Sequence, residues 1–125
     1  MSTAQICVVI AALLPLIFTG IAKFSGRGFD NARVRDFQER LEGFRKRAHW
    51  AHLNSIEAFA PFAAAVIIAT QMDADPQWRD GLAVAFIALR VAYGYCYIKD
   101  WPTARSVMWL GALVCTLWLF FLGAF

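Results

Sequence analysis

Charged side chains are scarce in this chain. They make up 17% of its 125 residues while 60% are hydrophobic, against roughly 25% charged in a soluble globular domain. One small domain is the most this length supports, and the balance points away from a water-soluble one. Cysteine is equally sparse: Cys7, Cys96 and Cys115 are far apart and form no CxxC pair or Cys/His ligand set, so zinc and dithiol chemistry are excluded and small buried hydrophobes are expected. The two histidines, His49 and His52, stand three apart without a second cluster, and helix packing accounts for them better than metal binding. No basic motif with interleaved stacking aromatics occurs, which removes nucleic acid from the partners. Repeats, low-complexity tracts and linkers are also missing, so residues 1–125 read as a single domain.

Long apolar runs are what the chain has. Four stretches, Ile6–Phe24, Ala48–Thr70, Gly81–Ile98 and Val107–Phe125, approach the roughly 20 residues that carry a helix across a bilayer. The expected fold is therefore all-α, an integral membrane four-helix bundle. The first run has no basic residue ahead of it and is longer than the roughly 7 to 15 residues of a signal peptide's apolar core, so it is expected to remain in the mature chain. Pro15 inside it predicts a packing kink.

Lysine and arginine orient the bundle. Lys23, Arg27, Arg33, Arg35, Arg40, Arg45, Lys46 and Arg47 lie between the first two runs, and Lys99 and Arg105 follow the third. The second connection sets only Arg79 against three aspartates. The positive-inside rule then makes connections one and three cytoplasmic, with both termini and the second connection outside. Trp78, Trp101 and Trp109 sit near the expected span ends, as an aromatic belt would. Between Phe29 and Phe44, Val34, Phe37, Leu41 and Phe44 recur at helical spacing among charged residues, which predicts a short amphipathic helix at the membrane surface or an extension of the second span.

Two polar stripes interrupt the apolar spans. At about 100° per residue, Arg47, Trp50, Asn54, Glu57 and Pro61 fall within about 80° of one another, and Arg90, Tyr93, Gly94 and Tyr97 share a face of the third span. Each stripe carries an ionisable group at a depth where an unpaired charge costs at least about 2.5 kcal/mol, so the two are expected to face each other or a polar cavity. A purely structural Glu57–Arg90 pair is one reading, and a hydrogen-bonding pocket that includes the amide and two phenols is the other. A small multidrug exporter fits poorly, because its membrane carboxylate would stand in the first span, which has none.

The conjunction of Asn54-x-x-Glu57, Pro61-Phe62, Arg90-Val-Ala-Tyr93-x-x-x-Tyr97 and Pro102 to Arg105-Ser106 resembles the MAPEG family, the membrane-associated proteins of eicosanoid and glutathione metabolism, as in microsomal glutathione transferase and microsomal prostaglandin E synthase. The resemblance implies a homotrimer of four-helix bundles in membrane lipid, with glutathione as co-substrate at the subunit interfaces, a lipophilic small-molecule substrate and no metal. It implies that Asn54 and Glu57 hold the polar backbone of glutathione, Glu57 taking its amino group, while Tyr93 and Tyr97 line the tripeptide and Arg90 supports the pocket through Glu57. Arg105 then faces the sulfur as the catalytic residue, with Ser106 beside it, and Arg27 or Arg33 of a neighbouring subunit reaches a carboxylate. Animal members commonly carry arginine four positions before the asparagine, where this chain has Trp50; a non-catalytic scaffold binding a small molecule or lipid is the alternative reading.

The chemistry suits those residue types. A thiol with a pKa near 8.5 is only a few per cent ionised at neutral pH, and a guanidinium in a partly dry site favours the thiolate. Single cysteines placed at Arg40, Lys99 and Asp75 in an otherwise cysteine-free chain test the orientation. Membrane-impermeant reagents should label the first two from the cytoplasmic side and the third from outside, and the reverse pattern contradicts a cytoplasmic site.

Overall fold

The computed structural model describes residues 1–124 and consists of five helices. Helix α1 spans Thr3–Phe24, α2 Val34–Glu39, α3 Gly43–Gln71, α4 Pro76–Ile98 and α5 Pro102–Leu122. All but α2 are long and apolar enough to cross a membrane. α1 packs chiefly on α3 and α4 chiefly on α5, while α3 and α4 also touch each other and each touches the remaining long helix. The helix pair α3–α4 is thus the shared centre of the bundle. Phe62 and Phe86, both buried, stack there with ring centroids 3.8 Å apart.

The spans start earlier than hydropathy alone placed them, and in α1, α4 and α5 the first turns are set by caps and prolines. Ser2 and Gln5 form a reciprocal capping box that opens α1 at Thr3. Asp75 accepts from the Gln77 amide, and Pro76 occupies the first turn of α4, where its missing N–H costs nothing. Pro102 does the same for α5, so Arg105 and Ser106 belong to a helix and not to a connecting loop. Phe125, the expected end of the fourth span, lies outside the described residues. The amphipathic stretch splits: only Val34–Glu39 is a separate helix. Gly43, the first residue of α3, takes φ +63 and so turns the chain away from α2, and α3 then runs through the basic residues as the extension of the second span. The α3–α4 and α4–α5 turns are tight. Asp73 and Asp100 supply their left-handed residues, at φ 54 and 61, a conformation that Asp and Asn tolerate better than most side chains.

Backbone groups at the helix ends are met by side chains from other helices. Asp80 of α4 accepts from the Ala4 amide of α1 at 3.1 Å. Three consecutive residues of α3 serve three different helix C-termini. Arg45 donates to the carbonyls of Ala22 and Lys23 at the end of α1 and to Arg27 beyond it. Lys46 donates to Gln38 and Glu39 of α2, and Arg47 to Ile98 of α4. A cation is favoured at each of these negative dipole ends. Pro15 lies buried inside a continuous α1, and its carbonyl takes a hydrogen bond from His52 Nδ1 at 2.9 Å, so His52 packs helix to helix. The three cysteines are buried and unpaired.

Gly94 is where α4 meets α1. A Cβ there would lie 2.0 Å from the ring of buried Phe18, so the glycine is required by close approach. Gly94→Ala should therefore lower stability by about 1 to 3 kcal/mol, read by thermal unfolding in detergent, and Phe18→Leu in the same chain should return part of the loss. Additive losses from the two changes would separate Gly94 from Phe18.

Candidate functional site

Arg90 is the most enclosed polar group in the bundle, at 2% exposure. Its guanidinium donates to Asn54 Oδ1 at 2.8 Å and to Ser55 Oγ at 3.4 Å, and it lies 4.2 Å from the centroid of the Tyr93 ring. The two polar stripes do face each other across α3 and α4, but through Asn54 and Ser55 and not through a Glu57–Arg90 ion pair, which was one of the two readings of the stripes. Among the described residues the one ion pair is Arg79–Asp80, and Glu57 is not bonded to Arg90. Ser55 was not marked by the stripe because it lies on the buried side of α3.

This arrangement fixes the polarity of the neighbouring wall. Arginine has donors only, so Asn54 must turn its carbonyl oxygen toward Arg90, leaving its NH₂ as the donor to anything outside. One turn further on, Glu57 is exposed and has no hydrogen-bond or ionic partner among the described residues. Pro61 has no N–H to return to the Glu57 carbonyl, so a backbone oxygen is released from the helical ladder at the same place. The wall thus presents a donor at Asn54 and acceptors at Glu57.

Two concavities meet at Asn54 and Glu57. One is an open groove of about 370 Å³ that also takes in Trp50, Leu53, Tyr93 and Tyr97. The other is a cavity of about 210 Å³ between α3, α4 and α5, lined mainly by Ala58, Pro61, Phe86, Trp109 and Leu113, with Arg90 and Thr116 at its wall. The groove is polar and aromatic; the cavity is apolar. With α5 starting at Pro102, Trp109 sits two turns into the helix and lines the cavity.

The tyrosines carry the site toward Arg105. Tyr93 and Tyr97 meet edge to face at 5.6 Å, Trp50 lies 6.3 Å from Tyr97, and the Arg105 guanidinium sits 4.6 Å from the Tyr97 ring centroid. Arg105 occupies the first turn of α5, at the positive end of its dipole. The spacing from 105 to 109, 112, 113 and 116 puts Arg105 on the same face as the residues that line the apolar cavity. Ser106 is exposed and lines neither concavity. Arg47, the stripe arginine nearest Trp50, is committed to the Ile98 carbonyl, while Arg27 and Arg33 are exposed in the first connection. Asn54, Glu57, Arg90, Tyr93, Tyr97 and Arg105 are therefore brought together, and Trp50, Ser55, Trp109 and Thr116 join them.

Searches among curated proteins and among solved structures return no match. The profile of the MAPEG family, in contrast, matches residues 3–125, which include every helix and every residue of the groove. A multi-pass membrane bundle of four long helices, with this pattern over nearly its whole length, belongs to the MAPEG family.

Proposed function

We propose that this protein is a glutathione-dependent transferase or peroxidase acting within the membrane as a homotrimer. The observation that carries the reading is the unpaired Glu57. A carboxylate exposed at the midpoint of α3, as far from Gly43 as from Gln71, would otherwise face lipid at a cost of at least about 2.5 kcal/mol. A neighbouring subunit closing the groove removes that exposure, and a ligand ammonium neutralises the charge. Glutathione offers the matching groups: its amino group to Glu57, a carboxylate or carbonyl to the Asn54 amide, and its thiol toward Arg105. The positively charged end of α5 and the Arg105 guanidinium both favour the thiolate, and lowering a thiol pKa by about two units needs roughly 2.7 kcal/mol, within reach of one partly desolvated arginine.

The apolar cavity along α5 is suited to the lipophilic partner, which reaches it from the bilayer. With an electrophilic carbon, the thiolate supplies the electron pair for a new C–S bond and the displaced group leaves, or an adjacent carbon takes up the proton lost from sulfur. With a hydroperoxide, sulfur attacks oxygen, the O–O bond breaks, and the alcohol leaves after protonation. A second glutathione then converts the sulfenic acid to disulfide and water.

Because Arg90 is held by Asn54 and Ser55, removing the Glu57 charge should spare the fold. Glu57→Gln should still assemble as a trimer by native mass measurement and lose glutathione affinity at least about tenfold, the equivalent of 1.4 kcal/mol, by calorimetry. Unchanged affinity would take the ammonium away from Glu57. Arg105→Ala should leave affinity within a few fold while conjugation slows by about ten- to a hundredfold and the thiolate absorbance of the bound ligand falls. Lysine at the same position should restore only part of this, since it is a point charge on a different stem. Unchanged thiolate formation and turnover in Arg105→Ala would remove Arg105 from the chemistry.

A further inference from the structure

Among the described residues the buried polar or charged side chains are Gln38, Ser55, Arg90 and Thr116. The first three are hydrogen-bonded. Gln38 donates to Thr19 at 2.8 Å, and Arg90 donates to Asn54 and to Ser55 Oγ. A threonine inside a helix often returns its hydroxyl to the carbonyl four residues back, as Thr70 does to Val66 at 2.8 Å. Thr116, at 3% exposure, makes neither that bond to Ala112 nor any other among the described residues.

That hydroxyl is not sealed in. Among the described residues the one fully enclosed side-chain polar atom without a partner is His49 Nδ1. Thr116 Oγ1 therefore keeps accessible surface, and the volume it borders is the apolar cavity of about 210 Å³ between α3, α4 and α5. Arg105 and Thr116 share a face of α5 and stand about 16 Å apart along its axis, with Trp109, Ala112 and Leu113 of the cavity lining between them. A molecule whose reacting carbon meets a thiolate beside Arg105 thus finds apolar contacts along its length and one hydrogen-bonding group at its far end. Ala112, Cys115 and Leu119, which flank Thr116 on α5, pack in one apolar cluster with Phe62 and Phe86, so these surroundings do not replace the hydration that a charged group would lose there.

We propose that Thr116 selects, among lipophilic acceptors, those that carry a neutral oxygen function, a carbonyl or a hydroxyl, about a dozen carbons from the reacting carbon. The inference rests on the transferase reading and names the substrate class of the same site. Thr116 Oγ1 donates to that oxygen and so gains the partner it lacks. A plain hydrocarbon tail leaves the buried hydroxyl unmet, and a carboxylate surrenders its hydration for a single hydrogen bond.

The test uses the full-length protein in neutral detergent with glutathione and two isomeric primary alkyl iodides, one with a ketone about a dozen carbons from the iodine-bearing carbon and one with the ketone about four carbons from it. The isomers match in lipophilicity. In both, the thiolate forms the C–S bond as the C–I bond breaks and iodide leaves, the thiol proton having passed to buffer. Wild type should convert the distal ketone with a kcat/KM about fivefold to tenfold above that of the proximal ketone, the value of one hydrogen bond. Thr116→Val, which keeps the branched shape and removes the hydroxyl, should abolish that preference, and Thr116→Ser should keep most of it. Disturbed packing would slow both isomers together and leave their ratio in place, so the ratio separates recognition from folding. Equal rates or the opposite preference in wild type overturn the proposal and leave the transferase reading standing, as does a preference that survives Thr116→Val. No conjugation of either isomer and no thiolate absorbance from bound glutathione overturn the transferase reading, and the substrate class falls with it.

Discussion

A guanidinium that stays charged at any accessible pH lies at the centre of an apolar bundle, and the site is arranged around it. Among the described residues no carboxylate forms an ion pair with Arg90. Its charge is carried instead by the Asn54 carbonyl, the Ser55 hydroxyl and the face of Tyr93, the last contact worth up to about 2 kcal/mol when desolvated. Loss of a neutral partner would leave a buried charge less well solvated, so these contacts hold α3 in register against α4. They also determine what is left over. Asn54 is turned so that its donors point outward, and Glu57 keeps its charge for something outside the protomer.

The basic residues follow one logic at the helix ends. A bilayer offers little water to exposed carbonyls, and the run Arg45–Lys46–Arg47 places one cation on the C-terminus of each of α1, α2 and α4. These residues lie about 100° apart around α3, which is why neighbours in sequence reach different helices. What reads as a topogenic charge cluster is thereby also the clamp that closes one end of the bundle. Lys23 and Arg35 stand outside the clamp, in the lining of the cavity between α1, α2 and α3.

α3 consequently serves as a wall with two working faces. The face bearing Trp50, Asn54, Glu57 and Pro61 borders the polar groove and the apolar cavity. The face bearing His49, His52 and Ile56 borders the amphipathic cavity against α1 and α2. The first pairs a recognition surface with a route from the bilayer for a lipophilic reactant, and α5 joins them by carrying Arg105 and Trp109 on one side of a single helix.

The sequence by itself determined the number of spans, the all-helical class and the two polar stripes, because apolar length and a period of 3.6 residues are local properties. Asn54, Glu57, Tyr93 and Tyr97 were legible for the same reason: each is a polar interruption on one face of an apolar run. The tertiary structure decided how those residues are paired. Periodicity put Glu57 and Arg90 on facing stripes, yet whether the guanidinium meets the carboxylate or the amide depends on axial register between two helices, a quantity absent from either helix alone. Ser55 was invisible because a small hydroxyl on a buried face leaves no mark in a hydropathy pattern, and the place of Trp109 in the cavity lining depends on the start of α5, which is set by Pro102 and not by where hydrophobicity rises. The requirement for glycine at position 94 came from Phe18, 76 residues away in the chain, since only packing brings that ring against α4.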